Sequence, residues 1–97
     1  MWNIEFLAEA EEELVELRPF DQQRIVTAIE TMLSHEPMRE SRNRKRLRPN
    51  RLAEWELRVE AFRVFYDVDV PMNVVRIVAI GEKKGRALFI RGERFDL

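Results

Sequence analysis

The sequence predicts an α+β fold in which an N-terminal strand and a two-helix hairpin pack on one face of a small antiparallel sheet, in the order β-α-α-β-β-β. Three observations predict it. Apolar residues alternate at Trp55, Leu57 and Val59 and again at Phe62, Val64, Tyr66 and Val68, the spacing at which side chains share one face of a strand, and the apolar run Val74–Gly81 follows. Between Leu7 and Leu33 the apolar spacing changes to three and four, the period of an amphipathic helix. Before that, Trp2, Ile4 and Phe6 alternate with Asn3 and Glu5, which is enough for one short strand.

In chain order, Leu7, Ala10, Leu14 and Leu17 form the buried stripe of a first helix. Glu9, Glu11, Glu12, Glu13 and Glu16 fill its other side, and the early glutamates suit the positive end of the helix dipole. That run reads as a solvated face rather than a metal site, because metal sites need convergent ligands. Pro19 stops the helix. A second helix starts near Asp21, a residue type suited to the N-cap, and presents Ile25, Ala28, Ile29, Met32 and Leu33. It ends around Ser34–Glu36, ahead of Pro37, where His35 suits a helix C-terminus better than it suits catalysis.

Residues 38–51 show neither period and read as a connection anchored by Leu47. Arg42, Arg44, Lys45, Arg46, Arg48 and Arg51 make it a phosphate-seeking strip, a solvated linker, or a patch matched to an acidic protein partner. Trp55, Leu57 and Val59, then Phe62, Val64, Tyr66 and Val68, form two strands joined by a tight turn at Glu60-Ala61. A turn through Pro71 leads to the strand Val74–Gly81. If Phe62, Val64, Tyr66 and Val68 face the helices, Arg63 stands on the opposite side. Lys83, Lys84 and Arg86 add a second basic cluster, and the remaining tail fits a short helix or an added strand.

Composition bounds the function. Ninety-seven residues make one domain, 1–97, long enough for one core. With no cysteine and one histidine, disulfide, zinc and Ser-His-Asp chemistries are nearly excluded. No apolar run approaches a membrane span and no leader is visible, so a cytoplasmic protein is the expectation, with no cofactor and no metal. The net charge of −1 hides a segregation: residues 1–36 hold nine acids and two bases, residues 37–51 seven bases and one acid. Such blocks mark interaction surfaces more often than they determine folds.

The order of elements, together with Leu57-Arg58, Phe62-Arg63-Val64-Phe65-Tyr66 and the strand Val75–Gly81 followed by Glu82-Lys83, resembles the RelE/ParE toxin superfamily. Arg46-Leu47 resembles the family's basic-Leu step before the sheet. The resemblance implies the toxin of a type II toxin–antitoxin pair, held by a cognate antitoxin. It implies one of two actions: cleavage of mRNA on the ribosome, as in the RelE branch, or inhibition of DNA gyrase, as in the ParE branch. The cleavage is metal-independent; the ribose 2′-hydroxyl attacks the adjacent phosphate and leaves a cyclic phosphate and a free 5′-hydroxyl.

Carried over by position, Arg63 falls on the family's phosphate-binding strand arginine. Lys83 falls where many relatives have arginine, keeping the charge without the paired donors. Phe89 falls where RelE-type enzymes have a helpful tyrosine, and Glu54 and Glu56 fall where some carry lysines. Either glutamate is then a candidate general base. The first expectation is therefore an mRNA endoribonuclease using Arg63, Lys83 and Arg58 for chemistry, with Arg42, Arg44, Lys45, Arg46, Arg48, Arg51, Lys84 and Arg86 on RNA. The alternatives are a non-catalytic gyrase inhibitor and a degenerate toxin that only binds its antitoxin.

Overall fold

The computed structural model describes all of residues 1–97. Strand β1 (Asn3–Phe6) leads into helices α1 (Ala8–Val15) and α2 (Pro19–Ala28), the second continuing as one π-helical turn, Ile29–Leu33. Six strands follow: β2 (Arg44–Arg46), β3 (Trp55–Val59), β4 (Phe62–Asp69), β5 (Val74–Lys84), β6 (Ala87–Ile90) and β7 (Glu93–Phe95). They form an antiparallel path β2-β3-β4-β5-β6-β7, while β1 adds to β5 in parallel through Asn3–Phe6 against Val74–Ile77. The α+β class and the three central strands are as the spacing predicts.

The helices begin and end for local reasons. Pro19 is the first residue of α2 and not merely the stop of α1, because its missing N–H is one the helix start does not need. Arg18, not Asp21, is therefore the N-cap; Asp21 sits in the first turn, 3.3 Å from Arg18. Gln22 crosses the turn and donates to the carbonyls of Val15 and Leu17, at 3.2 and 2.7 Å, satisfying orphan groups at the end of α1.

One further correction, and one choice between alternatives the sequence leaves open, concern strands. Residues 44–46 are not a featureless connection but the edge strand β2, paired with Trp55–Leu57. The tail forms no helix: β5 runs on to Lys84, and β6 and β7 make a hairpin turned at Gly92. Gly92 has φ of 77°, a left-handed conformation that glycine adopts without strain.

The sheet is covered on both sides. Ala10, Ile25, Ile29 and Leu33 from the helices pack on Trp55, Leu57, Val64, Tyr66, Val75, Ile77 and Ile80 to make the main core. Tyr66 is fully buried, and its hydroxyl donates to the Pro37 carbonyl at 2.7 Å. On the other side Ala53, Phe65, Ala79 and Leu88 form a smaller core, flanked by Leu47, Leu52, Val78, Ile90 and Phe95. The side away from the helices is thus partly roofed by the β6–β7 hairpin and the 47–53 loop, rather than left bare.

Candidate functional site

Strand register decides which charged residues meet. Arg58 pairs with Arg63 across β3 and β4, and Arg63 pairs with Gly81 across β4 and β5. Glu56 lies opposite Phe65 in the next row of that face, with Lys45 of β2 beside it. Lys83, two residues past Gly81, shares the face. Because Lys83 Nζ donates to the Arg86 carbonyl at 3.2 Å, the amine is held close to the sheet. Glu56, Lys83 and Arg86 line one small cleft with Leu88, Phe95, Asp96 and Leu97. The helix-free face therefore presents Lys45, Arg58, Arg63 and Lys83 around one largely buried carboxylate, Glu56 at 8% exposure.

The geometry around Arg63 is tight. One guanidinium nitrogen donates to the carbonyls of Glu60 and Phe62, at 2.7 and 2.9 Å, which fixes the side chain over the β3–β4 turn. Burial lowers the guanidinium pKa, Glu56 opposes that shift and Arg58 adds to it. It remains a cation, less hydrated than a surface arginine. Arg58 Nε donates to Glu56 at 3.2 Å, so the carboxylate is held by one arginine and faced by another.

The basic strip divides. Arg44 points to the helix side, where its guanidinium donates to the carbonyls of Met32 and Glu36, both at 3.1 Å, and to Ser41 Oγ at 3.2 Å. It caps the end of the second helix. Arg46 lies over the Trp55 ring, 5.7 Å from its centroid, and Trp55 stacks on Tyr66. Arg48 and Arg51 belong to a loop fixed by Asn50, whose side chain bonds the backbone of Arg48, Leu52 and Ala53. Arg42 and Arg51 are exposed.

The second basic cluster also divides. Lys84 points to the helix side, 5.5 Å from the Phe89 ring centroid. Phe89 pairs with Glu82 and lines a cavity with Glu13, Leu17 and Phe62, on the side away from Arg63. It does not approach Arg63. Glu54 is exposed and committed to the backbone, accepting from Val68 N at 3.1 Å, so of the two candidate bases only Glu56 lies inside the cluster.

Sequence reasoning missed one polar group that holds the site in place. Glu13 sits on the buried side of α1, where its Oε1 accepts from Ile80 N at 2.7 Å. That amide lies on the stretch of β5 between its partners β1 and β6, which a side chain must satisfy. Glu13 Oε2 meets Arg91 Nε at 3.1 Å, and Arg91 also pairs with Glu9. The signal was present: Glu13 falls at the spacing of the apolar stripe Ala10, Leu14, Leu17.

Comparison with known proteins agrees with the fold. The family described as ParE toxin of type II toxin-antitoxin system, parDE, matches residues 4–86. The structure is similar to a chain of the toxin–antitoxin complex RelBE2 from Mycobacterium tuberculosis: TM-score 0.69, 24% identity, 84% of this chain and 98% of that one. It is similar also to a chain of the archaeal RelE–RelB complex from Pyrococcus horikoshii OT3, with TM-score 0.69, 19% identity, and 89% and 98% covered. At those identities the likeness speaks for the fold. No curated protein matches the chain in sequence. No helix is long and apolar enough to cross a membrane.

Proposed function

The chain belongs to the family of ParE toxins of type II toxin–antitoxin systems; from the charged groups of its helix-free face, and not from the family's name, we propose that it cleaves messenger RNA on the ribosome, in the cytoplasm, until a cognate antitoxin covers it. The observation that carries this reading is the grouping of Arg58, Arg63 and Lys83 with the buried carboxylate of Glu56 on the helix-free face. The solved structures of similar fold are complexes of RelBE type, which supports a protein antitoxin as the partner.

The chemistry follows from those groups. Glu56 takes the proton of the ribose 2′-hydroxyl. The 2′-oxygen attacks phosphorus, and the bond from phosphorus to the 5′-oxygen breaks. Arg58 and Arg63 hold the negative charge that builds on the phosphate, and their fixed positions limit reorganisation during the step. Lys83 gives a proton to the departing 5′-oxygen. Lys45, Arg48 and Arg51 carry flanking phosphates.

Primer extension on message from induced cells tests the reading. Cuts should appear in the wild type and disappear in Arg63→Ala and Glu56→Gln. A second reading, gyrase inhibition by surface contact, is favoured by two observations: the matching family is that of ParE toxins, and Phe89 stands at the family's tyrosine position and faces the helix side. Intact message together with loss of plasmid supercoiling would establish it and overturn the nuclease.

A further inference from the structure

The roof of the cleft is built differently from its floor. Glu56 and Lys83 lie on central strands, but the residues above them, Phe95, Asp96 and Leu97, belong to β7 and the tail. β7 pairs only with β6, through three residues, and β6 pairs with β5 through three more. The hairpin is entered at Gly85 and turned at Arg91 and Gly92, all with positive φ. Few ladder bonds and tight turns at both ends are what a separately opening unit requires.

Two attachments hold it. On the cleft side Leu88 and Phe95 pack on Phe65 and Ala79. On the helix side Arg91 reaches α1, pairing with Glu9 and, at 3.1 Å, with Glu13. We propose that the β6–β7 hairpin is a lid over the Glu56–Lys83 cleft, and that Arg91, gripping Glu9 and Glu13 of α1, is the latch that keeps it shut. Closed, the lid places the Asp96 carboxylate in the cleft that holds Lys83 and Arg86. Open, it frees those cations and Glu56 for a polyanion. The benefit to RNA rests on the reading above, whereas the motion does not.

Differential acylation tests the motion without RNA. The chain has three lysines, Lys45, Lys83 and Lys84. Lys45, on β2 away from the hairpin, is exposed and serves as the internal control; Lys84 is exposed but packs on Phe89 of the hairpin, and Lys83 is half-buried under the lid. With acetyl N-hydroxysuccinimide ester and peptide mass spectrometry, Lys83 in the wild-type protein should react several-fold more slowly than Lys45. Arg91→Ala and Phe95→Ala should each raise the Lys83 rate several-fold and leave Lys45 unchanged. Glu9→Gln, which loosens only the exposed half of the latch, keeps the test valid if the stronger variants do not fold. Equal rates at Lys83 and Lys45 in the wild type, no rise in the folded variants, or a rise shared by Lys45 would overturn the lid. Absence of RNA cuts would sink the nuclease reading and leave this result standing.

Discussion

Arg44→Ala separates the cations that hold the fold from those left free for a partner. The guanidinium donates to the carbonyls of Met32 and Glu36 and to Ser41 Oγ, tying the end of the second helix to the edge strand β2. Helix ends leave their last carbonyls without partners, and a cation there also meets the negative end of the dipole. A hydrogen bond to a charged group contributes about 1.5–3 kcal/mol. One of these bonds is half-buried and two are exposed, so the sum is discounted to about 2–3 kcal/mol. In a domain of this size each kcal/mol moves Tm by about 4–8 °C. Arg44→Ala should therefore lower Tm by about 10–20 °C, read by circular dichroism and checked by urea titration. Arg44→Lys should recover only part, since one ammonium cannot span the same acceptors. Arg42→Ala, at an exposed position, should stay within about 0.5 kcal/mol of wild type. If Arg44→Ala melts with the wild type, the capping role is wrong and Arg44 returns to the pool of partner-binding cations.

Three other outcomes are expected. A Cβ at Gly81 would lie 2.9 Å from the Phe89 carbonyl oxygen and 3.0 Å from side-chain carbons of Leu88 and Ile90. Gly81→Ala should therefore cost about 1–3 kcal/mol in urea unfolding, and an unchanged midpoint would show that β6 does not press on β5 there. Tyr66→Phe strips the donor from the buried Pro37 carbonyl and should cost about 1–2 kcal/mol; a neutral result would mean that carbonyl finds another partner. Burial raises the Glu13 pKa above its ordinary 4.5, with the Ile80 N–H and Arg91 pulling it down. The folded state then holds the proton more tightly than the unfolded one. The stability Glu13 contributes is full below pH 4.5 and falls as pH rises through the raised value. Glu13→Gln does not titrate, so its urea stability should gain on the wild type as pH rises above 4.5; a gap that stays constant would contradict the assignment.

Much of the fold is legible because burial writes a period. Phe62, Val64, Tyr66 and Val68 alternate without a break, and β4 alternates without a break in the structure, with Phe65 and Arg63 on the other side. The helices are legible for the same reason. The misreadings occur where no buried stripe exists to be read. β2 is three residues of an edge, Arg-Lys-Arg, whose side chains go to a helix end, to the cleft face and onto a tryptophan, so no apolar rhythm marks it. β6 and β7 are short, and the glycines that obscured them in sequence are the turns that make them possible. The parallel pairing of β1 with β5 is set by which edge of the sheet remains free after the helices return, and no local spacing encodes it.

The site was legible in part, and the limit lies in a single residue. Along β5, Val75 and Ile77 face the helices, as alternation demands. Val78 and Ala79 then both pack on the other side, and Ile80 faces the helices again. The extra residue is Val78, which has no partner between the pairs Tyr66–Ile77 and Phe65–Ala79. A bulge shifts the parity of everything after it. Without it, continued alternation from Val75 would send Gly81 and Lys83 to the helix side, and Glu82 and Lys84 to the face of Arg63. With it, Gly81 lies beside Arg63 and Lys83 joins the cleft of Glu56. The same parity turns Phe89, paired with Glu82, away from that cleft. Residue type at Lys83 and Phe89 could be matched by position, but their facing depended on Val78, an apolar residue inside an apolar run that bears no mark of being the odd one out. Deleting Val78 would take out only the odd residue, join the pair Tyr66–Ile77 directly to Phe65–Ala79, and leave Lys83 on the face of Arg63.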